Sequence, residues 1–349
     1  MGRAALFMVM GLGMAMATIA SNISGTTERA LENNYTYYKY MYARNLARTA
    51  VHATLRGYDR NVDPDTTETI DFANGEYQIT SAQYSESPRD TVWLTAQGRY
   101  TDTSYTMYLK LFRYTKPFPG VSSAIGIRAS PVTFTMSGQP TVDGHNWNAD
   151  GTALVGSGDL PGVGVLNSTD SATIMDAEDD TPGDNIQGST EVIVDDSLAN
   201  PADYIQEYLS NADYYLTTGT YSGQTYGSST NPVIVVCDSP ADTNYKVKFT
   251  GGTVGYGILA VRGNIEIGGN FEWYGLVVVF GESNTVNFGG AGTPKIVGGL
   301  IVAQPGDGAA SLTLKGTGAN GKVLYSSAAL TNAKNIGKLR YYQIVYWYE

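Results

Sequence analysis

The sequence predicts an α+β protein: a long N-terminal helix packed on an antiparallel sheet, followed by a β-rich head read as a right-handed β-helix or related solenoid. Three observations predict it. An uncharged segment, ALFMVMGLGMAMATIA at residues 5–20, opens a stretch that holds helical spacing to Gly57 with no proline before Pro64. Four segments after it alternate apolar and polar residues, the period of a half-buried strand. The C-terminal part then repeats short apolar runs punctuated by glycine, as stacked coils require; an ordinary sandwich is the alternative.

Composition narrows the function classes. The chain has 349 residues, with 22 basic and 33 acidic side chains and a net charge of -11. No clustered basic patch is present, which argues against nucleic acid or an anionic membrane surface as partner. The single Cys237 excludes an intramolecular disulfide, a CxxC zinc site and a CxxCH haem attachment; it lies in the apolar run NPVIVVCDS as a buried small hydrophobe. High glycine (41) and tyrosine (26) with only 16% charged residues suit twisted sheets with many turns.

The first element is the helix, residues 1–57. Residues 4–20 would span about 25 Å as a helix, the lower limit for a bilayer. A signal peptide is the competing reading, with Arg3 as a minimal basic region and Ala15-Met16-Ala17 as a cleavage pattern. Continuation of the helical pattern past Ala20 favours one long helix. The assembly surface is assigned to Met1, Ala5, Leu6, Phe7, Met8, Val9, Met10, Gly11, Leu12, Gly13, Met14 and Ile19. Gly11 and Gly13 each cost about 1 kcal/mol relative to alanine, so they mark local unwinding or unusually close helix contacts. Leu31, Tyr35, Tyr38, Tyr42, Leu46, Thr49 or Ala50, and Ala53 form a stripe at spacings of three and four that packs on the sheet. Arg44 with Arg48, and Glu28 with Glu32, pair like charges four apart: a solvated face, or counter-charges supplied by a neighbour. The dense YTYYKYMY reads as tyrosines packed at subunit contacts with their hydroxyls satisfied, with a stacked electron path as the sharper alternative.

The second element, residues 58–120, holds the strands TTETIDF, GEYQITSAQYS, TVWLTAQGRY and SYTMYLKLFRY. The head, residues 121–349, includes an insertion at about 154–226 with one helix at PADYIQEYLSNADYYL. Gly263, Gly268, Gly275, Gly281, Gly289 and Gly298 set its beat, and KLRYYQIVYWYE is a return strand that pairs back on the early sheet.

Candidate chemistry is sparse. His52 lies in the helix and reads as packing; His145, with Asp143 and Asp150 nearby, is a turn or a site. Asp176, Glu178, Asp179, Asp180 and Asp184 form an acidic loop, solvated or a weak calcium site, which no EF-hand spacing supports. Asn167 begins an N-glycosylation pattern. No nucleophile elbow, phosphate loop or paired-histidine metal motif occurs, so no catalytic residue and no other cofactor is expected. A membrane-anchored β-helical polysaccharide-active enzyme is the rival of another class.

The sequence resembles the type IV pilin-like superfamily, specifically bacterial proteins with a PilX-type N-terminal region and a β-helical head. The residues that carry this are GRAALFMVMGLGMAMATIA at the start, then AIGIRASPVTFTMSGQPTVDG and GYGILAVRGNIEIGGNFEWYGLVVV in the head. The resemblance implies a precursor held in the inner membrane, trimmed by prepilin peptidase, and polymerised by pilus assembly machinery into an extracellular helical homopolymer. A minor pilin or tip adhesin is the nearest alternative. Two departures stand out. No basic leader precedes the segment, so either Met1 is the mature first residue or cleavage follows Gly2. The family's fifth-position glutamate is absent, with Ala5 there if Met1 is first and Phe7 if Arg3 is.

Overall fold

The computed structural model describes residues 2–58, 67–86, 89–116, 118–238, 245–281, 285–289, 292–315 and 321–348. Met1 lies outside them. The fold is α+β, a long N-terminal helix with β-rich sheets, and it divides into two compact units, residues 1–114 with 341–349, and residues 115–340.

In the first unit the helix Gly2–Tyr58 is continuous through Gly11, Gly13 and Gly25. A Cβ built at any of these glycines meets nothing within 4 Å. The expected unwinding is therefore absent in the single chain, because helical hydrogen bonding continues through isolated glycines at a modest propensity cost. Strands Thr67–Phe72, Gly75–Glu86, Arg89–Tyr100 and Thr103–Thr115 follow as antiparallel neighbours, and Arg340–Tyr348 borders the fourth. Alternation puts Tyr77 and Ile79, then Val92, Leu94 and Ala96, then Met107, Leu109 and Leu111 on one face. Leu46, Ala47, Ala50 and Val51 of the helix pack there. Close approach is set by Gly98, where a Cβ would lie 2.1 Å from the Ala43 carbonyl oxygen.

The sheet covers only part of the helix. At about 1.5 Å per residue the helix is about 85 Å long, whereas strands of 12 or 13 residues reach only about 40 Å. Hence Leu31, Tyr35 and Tyr38, expected in the packing stripe, are exposed at 64%, 56% and 52%. Ala53 is exposed as well, Tyr42 is half-buried, and Leu46 and Ala50 are buried. Periodicity identifies a face of a helix but not how far along it the partner extends.

In the second unit the larger sheet runs through Tyr214–Leu216, Val233–Cys237, Val254–Arg262, Glu272–Phe280, Lys295–Ala303, Ile125–Arg128, Val163–Val165 and Val192–Val194. The smaller orders Gly219–Ser222, Lys246–Thr250, Asn264–Ile267, Thr285–Phe288, Ala310–Lys315 and Val132–Ser137. Neighbouring strands in both are parallel, and the chain alternates between sheets, so Val254–Arg262 is followed by Asn264–Ile267 and Glu272–Phe280 by Thr285–Phe288. Register stacks like on like. Val247, Ile265, Val286, Leu312 and Phe134 form one buried row, and Phe249, Ile267, Phe288, Leu314 and Met136 the next. In the larger sheet Gly257, Gly275 and Gly298 align at φ +116°, +137° and +139°. A Cβ on Gly275 would meet the Gly257 carbonyl oxygen at 2.1 Å, and one on Gly298 the Gly275 carbonyl at 2.0 Å.

Two expectations are corrected here. Residues 154–226 are not an insertion, because Val163–Val165, Val192–Val194 and Gly219–Ser222 pair within the two sheets. Three- and four-residue strands are too short for alternation to announce. The helix expected at 201–216 is a 3-10 turn, Pro201–Asp203, and a short helix, Ile205–Ser210; Tyr214–Leu216 is a strand drawn into the sheet by parallel pairing with Val235–Cys237.

Candidate functional site: the exposed apolar helix

Helix residues 6–23 make a surface without a partner among the described residues. Leu6, Phe7, Met8, Val9, Met10, Leu12, Met14, Met16, Ile19 and Ile23 are 57% to 80% exposed. Consecutive helical residues are about 100° apart, so Leu6 through Met10 cover the whole circumference. One-sided packing cannot bury such a segment. It is the one helix among the described residues that is long and apolar enough to cross a membrane, with a mean hydropathy of 1.7 in its most apolar window. Threonine hydroxyls in and just after it are turned onto the helix itself: Thr18 donates to the Met14 carbonyl at 2.5 Å and Thr27 to that of Ile23 at 2.8 Å. Both hydroxyls therefore keep a partner in an apolar medium.

Where the helix reaches the sheet, a collar of polar and aromatic contacts fixes it. Lys39 donates to Asp102 at 2.7 Å, and the Tyr42 hydroxyl donates to the Ala73 carbonyl. The Lys39 ammonium, helped by the Thr101 hydroxyl, holds the Asp102 carboxyl down at about 2. Tyr42 packs on Tyr100 with centroids 4.3 Å apart, Tyr38 on Tyr100 at 6.1 Å, and Tyr40 edge-on to Tyr105 at 5.2 Å. These tyrosines join the helix to its own sheet. Arg44 also lies over Tyr105, 6.0 Å from its centroid. Sequence reasoning missed Lys39, Asp102 and Gly98; only Gly98 carried a signal, as a glycine inside a strand pattern.

The other sequence candidates do not converge. Asp176, Glu178 and Asp179 are on a helix, Ser168–Asp179, of which Asp180 is the C-cap. Glu178 is turned inward to accept from the Asn185 amide at 2.9 Å. Among the described residues no three His, Cys, Asp or Glu side chains are grouped to hold a metal, so the calcium expectation for these residues and Asp184 is corrected. Asn167, read as a sequon on a loop, is the N-cap of that helix, its side chain accepting from the Asp170 amide. Asp143 is buried and accepts from His145 Nδ1 at 2.7 Å and Trp147 Nε1 at 3.0 Å, without Asp150. That arrangement ties a turn together. His52 is exposed. Cys237 is buried and free, and burial pushes its thiol up, away from reactivity.

Comparison with known proteins adds little. No protein-family model matches the chain, and no curated protein matches it. A solved structure, the competence-associated pilin ComZ from Thermus thermophilus, is 12% identical over 89% of this chain and 96% of its own, with a TM-score of 0.26. A superposition at that score carries no argument about this chain.

Proposed function

We propose that the chain is a structural subunit of an extracellular, type IV pilus-like filament, polymerising through its N-terminal helix and leaving the β-rich remainder in water. The observation that carries this is the all-round exposure of residues 6–23 on a helix whose other end is fixed to a folded sheet. Two media can cover such a surface, a bilayer or a bundle of like helices, and the proposal uses both in turn. Before assembly the segment anchors the chain in the inner membrane, where prepilin peptidase and the assembly machinery act on it. Afterwards each large apolar side chain buried among neighbouring copies contributes about 1.5–3 kcal/mol. Contacts between staggered copies are heterologous and build an open helix without a fifth-position glutamate. The role is structural and no catalytic step is assigned.

We also read the second unit as a right-handed β-helix. In support, parallel strands alternate between two sheets with aligned apolar rows and an in-register glycine column within the longer strands. Parallel crossovers are right-handed in about 98% of cases.

The test is shearing of native cells followed by fractionation. The expected result is the chain as its own sedimentable polymer in the sheared fraction, with an inner-membrane precursor pool. Recovery only as detergent-extracted monomer contradicts the proposal.

A further inference from the structure

We infer that the second unit carries a binding cleft for a neutral saccharide, on grounds independent of the filament reading. The cleft has a volume of about 460 Å³, within the usual range for small-ligand sites. Its lining includes a pair of in-register tyrosines, Tyr256 and Tyr274, stacked 4.8 Å apart at 14° beside Gly257. The Tyr274 hydroxyl donates to Glu272 at 2.5 Å, which fixes the ring and leaves the phenol oxygen free to accept. Burial and the Glu272 carboxylate both push this phenol's pKa up, so it stays a neutral acceptor.

The walls are held independently of any ligand. On one side Asn148 Oδ1 accepts from the Thr152 and Ala153 amides, and the Thr152 hydroxyl donates to Asp150. On another, Ser228 and Asn231 exchange backbone hydrogen bonds at 3.0 and 3.1 Å. The third wall is the helix Ser327–Lys334, capped by Ser326, which turns Ala329 and Asn332 into the cleft at a spacing of three. A wall that is already ordered costs little to order on binding.

The lining chemistry selects the ligand. Among the described residues the Tyr256 hydroxyl and the side chains of Ser229 and Asn332 have no hydrogen-bond partner in the chain, so a wholly apolar ligand would desolvate them without replacement. A polyol offers hydroxyl groups to all three while its C–H surface lies against the Tyr256 ring and Pro232. The one carboxylate in the lining is Asp150; Lys295, whose Nζ lies 5.1 Å from the Tyr274 ring centroid, is offset by Glu272 3.9 Å away, and no other lysine, arginine or histidine is placed at the cleft. Uronates and phosphates are therefore disfavoured, and neutral sugars are not.

The experiment titrates the full chain, in a polyoxyethylene detergent whose head group carries no sugar, with maltotriose, cellotriose, chitotriose and trigalacturonate by calorimetry. Saturable binding of at least one neutral trisaccharide is expected, with trigalacturonate at least about tenfold weaker, and a loss of about tenfold or more in Asn332→Ala and in Tyr256→Ala. Asn332 is exposed, so its variant carries the test if Tyr256→Ala fails to fold. Asp150→Asn should narrow the gap between neutral and acidic probes. No saturable binding of any neutral probe, equal binding of trigalacturonate, or full binding by Asn332→Ala overturns the inference.

Discussion

Strand Val254–Arg262 and helical residues 6–23 are made of the same kinds of side chain. In the strand, Ile258, Leu259, Ala260 and Val261 are fully buried; in the helix, Leu6 through Met10 are all well exposed. The difference lies in what repeats. Ile258 is paired in register with Ile234 on one side and Leu276 on the other, so each apolar row is covered by the next version of the same pattern in the same chain. The helix occurs once per chain. The β-rich unit thus completes inside one molecule what, on the proposed reading, the helix finds in other copies or in lipid.

The comparison breaks first at the helix. Met14→Asp places a charge in the middle of the segment that the proposal puts in an apolar medium, at about 2.5–3.5 kcal/mol per copy on insertion scales. Loss of the sheared polymer is expected, with the thermal midpoint of the folded remainder unchanged by circular dichroism. Glycine substitutions sharpen the contrast. At Gly275 alanine has to adopt φ +137° with its Cβ against a carbonyl oxygen, so Gly275→Ala should destabilise by on the order of 3–5 kcal/mol and lower the melting temperature by roughly 10 °C. Gly98→Ala, which forces the helix off its sheet, should cost about 2–4 kcal/mol in the first unit, read as urea sensitivity of the Trp93 signal. Gly11→Ala has the opposite sign, because its Cβ enters open space: a gain of about 1 kcal/mol of local helix stability, measured by helical ellipticity of the unassembled chain.

The smallest effect is electrostatic. Hydrogen bonds from Lys246 and Lys248 hold the Glu266 carboxyl below the ordinary glutamate range and tie adjacent strands together. A lowered folded-state pKa gives stability that is present above the unfolded value and lost as pH falls through the folded one. Melting temperature should therefore drop on the acid side of the glutamate range, and Glu266→Gln should flatten that limb while lowering stability at neutral pH.

Much of the fold was legible in the sequence because its signals are local. Helical spacing without proline gave the N-terminal helix, and period-two alternation gave the four early strands at Thr67–Phe72 through Thr103–Thr115. The helix Ser168–Asp179 was missed although Asn167, three residues before Asp170, is a good N-cap; the same residue was read as a sequon and the acidic turn as a loop. Leu31 and Tyr35 lie beyond the sheet, whose extent is a tertiary fact, whereas Tyr38, though exposed, still touches Tyr100. The saccharide cleft had no sequence signal. Its walls come from residues near 148, 229, 256 and 332, brought together only by parallel register and a helix late in the chain. The apolar segment is the opposite case, visible in the sequence as the uncharged run at residues 5–20.

The most direct measurement is a cryo-electron microscopy map of polymer sheared from native cells, at a resolution that places side chains. The account predicts helices in the core, with Leu6, Phe7, Met8, Val9 and Met10 of each copy in contact with neighbouring helices on every side. A polymer in which residues 6–23 lie at the periphery, or in which copies join through their β-rich units alone, would contradict it.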